Sequence, residues 1–205
     1  MSPVADAPQR ILDSADALFA ERGFAAVSIR DVAERAGVTK ALVFYHFESK
    51  AKLFAQVVER YYRRHADALA EGAKGSGTRR ERLHRMLDAY LDFLEENGRY
   101  VQLVHREISA GGEAVEPIRR GLASLHGWLE QSLGDLLPAS GPRSARQLFV
   151  SFSGLATAYY LYAPALEDLF GSDPLSPAAK RERRAHLHWM VDRIFDGLVE
   201  AAEAA

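Results

Sequence analysis

Apolar side chains recur along this chain at intervals of three and four residues, and strand-like alternation is missing. That is the period of helices with one face turned inward. Ile11, Leu12, Ala15, Leu18 and Phe19 form the first stripe, which predicts a helix over residues 8–22 stopped by Gly23. Ser28-Ile29-Arg30-Asp31 reads as a variant capping box that opens a second helix. Val27 and Val32 are placed to pack across its first turn, and Ala36-Gly37 marks its end. Thr39 caps a third helix reaching about Phe47, and Ser49 caps a long fourth helix from Lys50 to about Glu71. The first three helices, joined by very short turns, have the spacing of a trihelical helix-turn-helix.

The remainder continues in helices. Residues 72–77 form a glycine-rich loop; no strand precedes it, so it does not match a dinucleotide fingerprint. A helix over 79–97 carries Leu83, Leu87, Tyr90 and Leu94 on one face and ends at Gly98; a shorter one covers 99–110 before Gly111-Gly112. Pro117 suits the first turn of a helix reaching about Leu137, with Ile118, Leu122, Leu125, Leu129, Leu133 and Leu136 as its stripe. A turn at 138–142 leads to a helix over 143–163 that stops at Pro164, and the last helix runs over 177–202. The expected fold is all-α: an N-terminal trihelical helix-turn-helix domain at residues 8–54, then a helical C-terminal domain at residues 55–205.

Composition narrows the chemistry. The 205 residues are 48% hydrophobic and 26% charged, which fits a globular chain with a real core. With no cysteine there are no disulfides, thiolate metal sites or cysteine nucleophiles. The start of the chain lacks a basic region followed by an apolar run, and no apolar stretch is long enough to span a bilayer. We therefore expect a cytoplasmic protein with no membrane association. The net charge of −2 does not by itself favour nucleic acid, but Ser28–Lys52 holds five basic and three acidic residues. No H-E-x-x-H or paired Glu-x-x-His pattern occurs, so no metal or cofactor is expected. His186 and His188, two apart, point to different helix faces. His84, Asp88 and Asp92 share a face and read as a solvated stripe, as does the basic run from Lys180 to Arg184.

Residues 10–54 read RILDSADALFAERGFAAVSIRDVAERAGVTKALVFYHFESKAKLF. Phe19 before Gly23-Phe24, Ser28-Ile29, Val32-Ala33, Ala36-Gly37-Val38 and Tyr45-His46-Phe47 followed by Ser49-Lys50 together resemble the DNA-binding domain of the tetracycline-repressor (TetR) family. The resemblance implies a third helix that enters the major groove. Its start would read bases through Lys40, Ala41, Leu42 and Phe44, with Arg30 of the second helix as a further reader. Ser28, Thr39, Tyr45, His46 and Lys50 become phosphate ligands. Taken alone, Ser28 and Thr39 are ordinary helix caps and Arg30 a solvated charge. Many relatives have Gly at position 41 and Tyr at position 44, so sequence preference does not transfer.

The resemblance also implies a homodimer formed by the last two long helices, a palindromic double-stranded operator and a small-molecule effector. Half-sites would lie roughly 34–36 Å apart. The apolar stripes of those two helices are too wide for cover on one side. Tyr90, Phe93, Tyr100, His105, Trp128, Phe152 and Tyr159 are candidate ligand contacts, although each taken alone reads as ordinary core. His105 joins an apolar face with Val101, Val104 and Ile108. The expected function is a ligand-responsive repressor. The competing readings are an adaptor that uses the same dimer without DNA and an enzyme built on a helical bundle.

Overall fold

The computed structural model of the chain describes residues 6–133, 137–138 and 140–203. Those residues form α1 (Ala7–Ala26), α2 (Ile29–Ala36), α3 (Lys40–Phe47), α4 (Lys50–Gly72), α5 (Arg79–Glu96), α6 (Gly98–Ala110), a 3-10 turn (Gly112–Ala114), α7 (Val115–Leu133), α8 (Ala145–Phe170) and α9 (Pro177–Glu203). No strand occurs among them, and none of these helices is long and apolar enough to cross a membrane. Leu136, placed on the α7 stripe by its spacing, and Ala139, in the following turn, lie outside the described residues.

Three boundaries depart from the sequence reading. Gly98 does not end a helix; Asn97 caps α5 and Gly98 starts α6. Pro164 lies inside α8, which continues to Phe170. Proline removes one backbone donor, but Ala165-Leu166-Glu167 behind it favour helix, and α8 stops at Gly171 with φ 65. Gly23, at φ 83 and ψ 170, breaks the helical path of α1, yet one more short turn follows it to Ala26.

Packing gathers the chain into two compact units that do not follow each other in series. One comprises Met1–Arg63 with Arg99–Leu122, the other Arg64–Gly98 with Ala123–Ala205. In the first unit Ile11, Phe19, Val32, Val43 and Phe54 are almost completely buried. Each such side chain stabilises the fold by roughly 1.5–3 kcal/mol. The Phe54 ring meets Phe19 edge-on at 5.1 Å and Phe24 at 5.0 Å. α6 closes this core with Tyr100, Leu103 and the buried Glu107. Tyr100 stacks on Tyr61 at 4.2 Å and donates its hydroxyl to Asp16 at 2.8 Å. Glu107 accepts the Phe24 backbone N–H at 2.9 Å, and Arg106 donates to the Phe19 carbonyl at 3.1 Å. Gly121 of α7 lies so close to Tyr62 that a Cβ there would fall 2.0 Å from the ring.

In the second unit α5 and α9 run antiparallel. Arg80 near the start of α5 pairs with Asp192 at 2.7 Å, and Asp88 further along pairs with Arg184, earlier on α9, at 2.8 Å. α8 and the later part of α7 complete the unit's apolar interior, where Leu125, Ala156 and Leu187 are buried.

Candidate functional site

The helix-turn-helix is built by local chemistry. Asp31 N–H donates to Ser28 Oγ at 3.2 Å, and Ser28 N–H donates back to Asp31 Oδ2 at 2.7 Å. These reciprocal bonds satisfy donors that the first turn of α2 leaves open. The Ser28 hydroxyl and then its N–H, both donating to Asp31 Oδ2, hold that carboxyl below its usual range. At the other end Gly37 takes φ 64 and ψ 41, a left-handed conformation that a side chain would resist. Arg10 donates to the carbonyls of Ala36 at 2.6 Å and Gly37 at 3.2 Å, so α1 fixes the turn. Thr39 Oγ1 accepts the Leu42 N–H at 3.3 Å and starts α3. α3 ends at Glu48, whose φ of 61 is the only positive value at a non-glycine among the described residues.

Two buried side chains, Val43 and Phe47, seat α3 in the core. That leaves Lys40, Ala41, Phe44 and Tyr45 exposed, with Leu42 and His46 half-buried. Tyr45 is 79% exposed, which separates it from its neighbour Phe47 although both are aromatic. Ser28, Arg30 and Thr39 are exposed at the flanks. The Lys40 ammonium lies 5.6 Å from the Phe44 ring centre. His46 Nε2 is shielded and has no hydrogen-bond partner among the described residues. Lys50 is seated differently from its neighbours: Nζ sits 4.3 Å over the Phe24 ring and 3.4 Å from the Ala25 carbonyl. Arg35 is paired with Glu21 at 3.2 Å and Lys52 with Glu48. The roles of Arg10 and Phe24 were invisible to spacing, because each acts on a residue distant in the chain.

The second unit holds a cavity of about 160 Å³. Leu83 and Leu87 of α5, Leu125 of α7, Phe149 of α8, and Ile194 and Phe195 of α9 make it strongly apolar. Its polar groups are few: Trp128, Ser153, Tyr90 and His65. His65 stacks on Tyr90 at 4.9 Å, and burial pushes its pKa down to about 4. Burial pushes the Tyr90 phenol up, with a hydrogen bond from Ser153 partly opposing it.

Of the seven aromatic and histidine side chains singled out by sequence, Tyr90, Trp128 and Phe152 line this cavity. Phe93 backs His65 at 4.8 Å without joining the lining. Tyr159 donates its hydroxyl to the Pro174 carbonyl at 2.7 Å and lies beside Arg183. Tyr100 and His105 belong to the other unit. His105 is exposed, because the buried face of α6 is set by Tyr100, Val101, Leu103 and Glu107 rather than by Val104 and Ile108.

Residues 11–57 match the family described as "Bacterial regulatory proteins, tetR family". The HTH-type transcriptional activator FasR of Mycolicibacterium smegmatis is 28% identical over 95 residues, 46% of this chain and 43% of that protein. The HTH-type transcriptional repressor KstR2 of Rhodococcus jostii is 40% identical over 48 residues, 23% of this chain and 24% of that protein. These alignments span less than half the length of either relative. A solved TetR-family regulator from Rhodococcus sp. matches over 95% of this chain and 100% of its own, with a TM-score of 0.70 and 21% identity. The fold is therefore shared almost throughout, while the sequence likeness gathers in the helix-turn-helix. Residues 11–57 thus belong to the tetracycline-repressor (TetR) family of bacterial regulatory proteins, and the chain shares the fold of solved TetR-family regulators.

Proposed function

We propose that this chain is a homodimeric, ligand-responsive repressor that binds a palindromic DNA operator. The observation that carries the reading is the exposed face of α3, with Lys40, Ala41, Phe44 and Tyr45 facing outward from a helix anchored by Val43 and Phe47. In this reading Lys40 and Arg30 donate to guanine edges, and Ala41, Leu42 and Phe44 meet thymine methyls. Ser28, Thr39, Tyr45, His46 and Lys50 hold phosphates on either side. Residues 8–54 then read DNA, and 55–205 dimerise and sense.

Dimer formation is supported by large apolar side chains that one chain leaves open. Val150, Tyr162 and Leu169 of α8 and Trp189 of α9 are each more than half exposed. A second copy meeting the same faces would cover them and set two recognition helices on one side of the duplex. The ligand is small and apolar, an aromatic ring or short chain carrying one hydrogen-bonding group. A cavity of roughly 150 Å³ holds a benzene-sized molecule elsewhere, and the polar atoms here gather around His65, Tyr90 and Ser153. Ligand acts by its differential affinity for two conformers, of which one spaces the reading heads for DNA. α4, like α7, runs through both compact units and is a continuous helical route between them.

Fluorescence anisotropy with DNA from upstream of the chain's own gene tests the reading, beside a scrambled duplex across a salt series. Saturation at two chains, or a multiple, on the upstream DNA supports it, with weakening on Lys40→Ala. If no duplex from a genome-wide selection binds better than the scrambled one, the DNA reading fails and the adaptor reading replaces it. FasR is an activator and KstR2 a repressor, so in vitro transcription on the bound promoter decides the sign: repression predicts less transcript.

A further inference from the structure

One cluster lies apart from both the reading head and the cavity lining. On α5, Arg80, His84, Asp88 and Asp92 follow one another at intervals of four; on α9, Arg184, His188, Asp192 and Asp196 repeat the same order. That spacing keeps each set on one helix face, and the antiparallel packing brings the two sets together in reverse. Arg80 pairs with Asp192 and Asp196, and Arg184 with Asp88 and Asp92. At the centre His84 Nε2 lies 2.8 Å from Asp192 Oδ1, and His188 Nε2 lies 2.8 Å from Asp88 Oδ1. The two Nδ1 atoms meet directly, with ring planes 5° apart and centroids 4.6 Å apart.

Counting protons decides what belongs between them. An ionised carboxylate only accepts, so each Nε2 carries a hydrogen. Arg184 and His188 both reach Asp88 Oδ1, and Arg80 and His84 both reach Asp192 Oδ1, so each carboxylate is met by donors from both helices. A neutral imidazole protonated at Nε2 presents a bare lone pair at Nδ1. Two lone pairs thus converge on one point, which is repulsive unless a cation fills it. The surroundings favour a cation as well. The four carboxylates outnumber the guanidiniums that hold them, even when Arg193, 2.9 Å from Asp196, is counted with Arg80 and Arg184.

We propose that the α5–α9 seam binds one transition-metal ion of the zinc or copper class through His84 Nδ1 and His188 Nδ1, with water completing its shell. Imidazole nitrogen is a preferred donor for these ions. A metal-bound histidine characteristically donates its other N–H to a carboxylate, which fixes the tautomer and strengthens the donor; both histidines here are held that way. Their side chains are 25% and 23% exposed, which gives water access to the remaining positions. Metal–nitrogen bonds of about 2.0–2.1 Å hold two nitrogens about 3.3 Å apart in a tetrahedral shell, so the rings must part by about an ångström as the ion enters. Only the two Nδ1 atoms face the proposed position, and no group of three or more His, Cys, Asp or Glu is placed to hold a metal ion among the described residues, so water must supply the rest of the shell. It joins two of the helices that wall the cavity, through Leu83 and Leu87 on one side and Val191 and Ile194 on the other.

The full chain, stripped with chelator, is titrated with Zn²⁺ by calorimetry and with Cu²⁺ by electron paramagnetic resonance. The expected result is one ion per chain and a two-nitrogen signature for copper. His84→Gln and His188→Gln should each weaken binding at least tenfold, as glutamine can still bond the carboxylate and keep the helix. Asp192→Asn, which leaves both imidazoles in place, should weaken it by about 10–100-fold. His105→Gln, at an exposed position of α6, should change nothing. Zn²⁺ should raise the Tm of the wild type and not of the double histidine variant, with circular dichroism checking that both are folded. Equal affinity in the wild type and the folded double variant overturns the proposal. So does absence of binding at millimolar metal, in which case a single shared proton seen by nitrogen NMR is the occupant.

Discussion

Lys50 offers the sharpest test, because its structural seat and its proposed role make different demands on one ammonium group. In the free chain Nζ lies 4.3 Å over Phe24 and 3.4 Å from the Ala25 carbonyl. A cation over an aromatic face near the surface contributes about 0.5–1 kcal/mol, and a 3.4 Å hydrogen bond adds little. Lys50→Ala should therefore lower the urea midpoint by about 0.3–0.5 M, for an m-value near 2 kcal/mol/M. On DNA each phosphate contact contributes about 0.9 to the slope of log K against log salt. Losing one contact per chain from a dimer should reduce that slope by about 1.8. Phe24→Leu separates the two roles. It removes the aromatic seat at a cost of about 1 kcal/mol and should leave the salt slope alone. Anisotropy titrations at four or five salt concentrations measure all three proteins. An unchanged slope in Lys50→Ala would refute the phosphate role and leave Lys50 as an internal strut.

Three further outcomes are expected. Ser28→Ala should cost about 0.5–2 kcal/mol by removing the α2 cap; because the Asp31 carboxyl is held low, its contribution is present above the ordinary value of 3.8 and is lost as pH falls below it, a dependence that Asp31→Asn should abolish in acid denaturation. His65, with its pKa pushed down to about 4 by burial, should make stability full above pH 6.5 and progressively lower toward pH 4, by up to about 3 kcal/mol; His65→Leu should flatten that profile in urea titrations, and an unchanged profile would place the titration elsewhere. Gly121→Ala should destabilise by about 1–3 kcal/mol through overpacking against Tyr62, with Tyr62→Leu partly restoring the Tm.

Most of the helix-turn-helix was legible in the sequence, because capping acts over three residues. Ser28 with Asp31, Thr39 with Leu42, and Gly37 in its left-handed turn all express chemistry written within one helical turn. Partners distant in sequence were not legible. His105 was assigned to an apolar face by its spacing with Val101, Val104 and Ile108, whereas α6 turns Glu107 inward. Its carboxylate is in fact buried and satisfied by the N–H of Phe24, 83 positions earlier. Tyr100 and Tyr159 had the right type for a cavity wall, but their hydroxyls are committed to Asp16 and Pro174. His84, Asp88 and Asp92 were recognised as one face, yet nothing on α5 announces that α9 carries the matching set. Pro164 misled in the opposite direction: a local rule predicted a stop, and the residues behind it favoured continuation.

The return of residues 99–122 to the N-terminal helices has a consequence for biosynthesis. A nascent chain that has emerged only to Arg63 already contains α1, α2 and α3, but Phe24 still lacks its carboxylate and Tyr61 its stacking partner. Those arrive about 40 residues later, roughly 2–9 s at ordinary translation speed. The reading head is thus completed in the middle of synthesis, after α5 has left the ribosome. A truncated fragment ending at the fourth helix would expose the surface that α6 covers. Chimaeras that transplant this specificity should carry residues 99–122 along with the first 63.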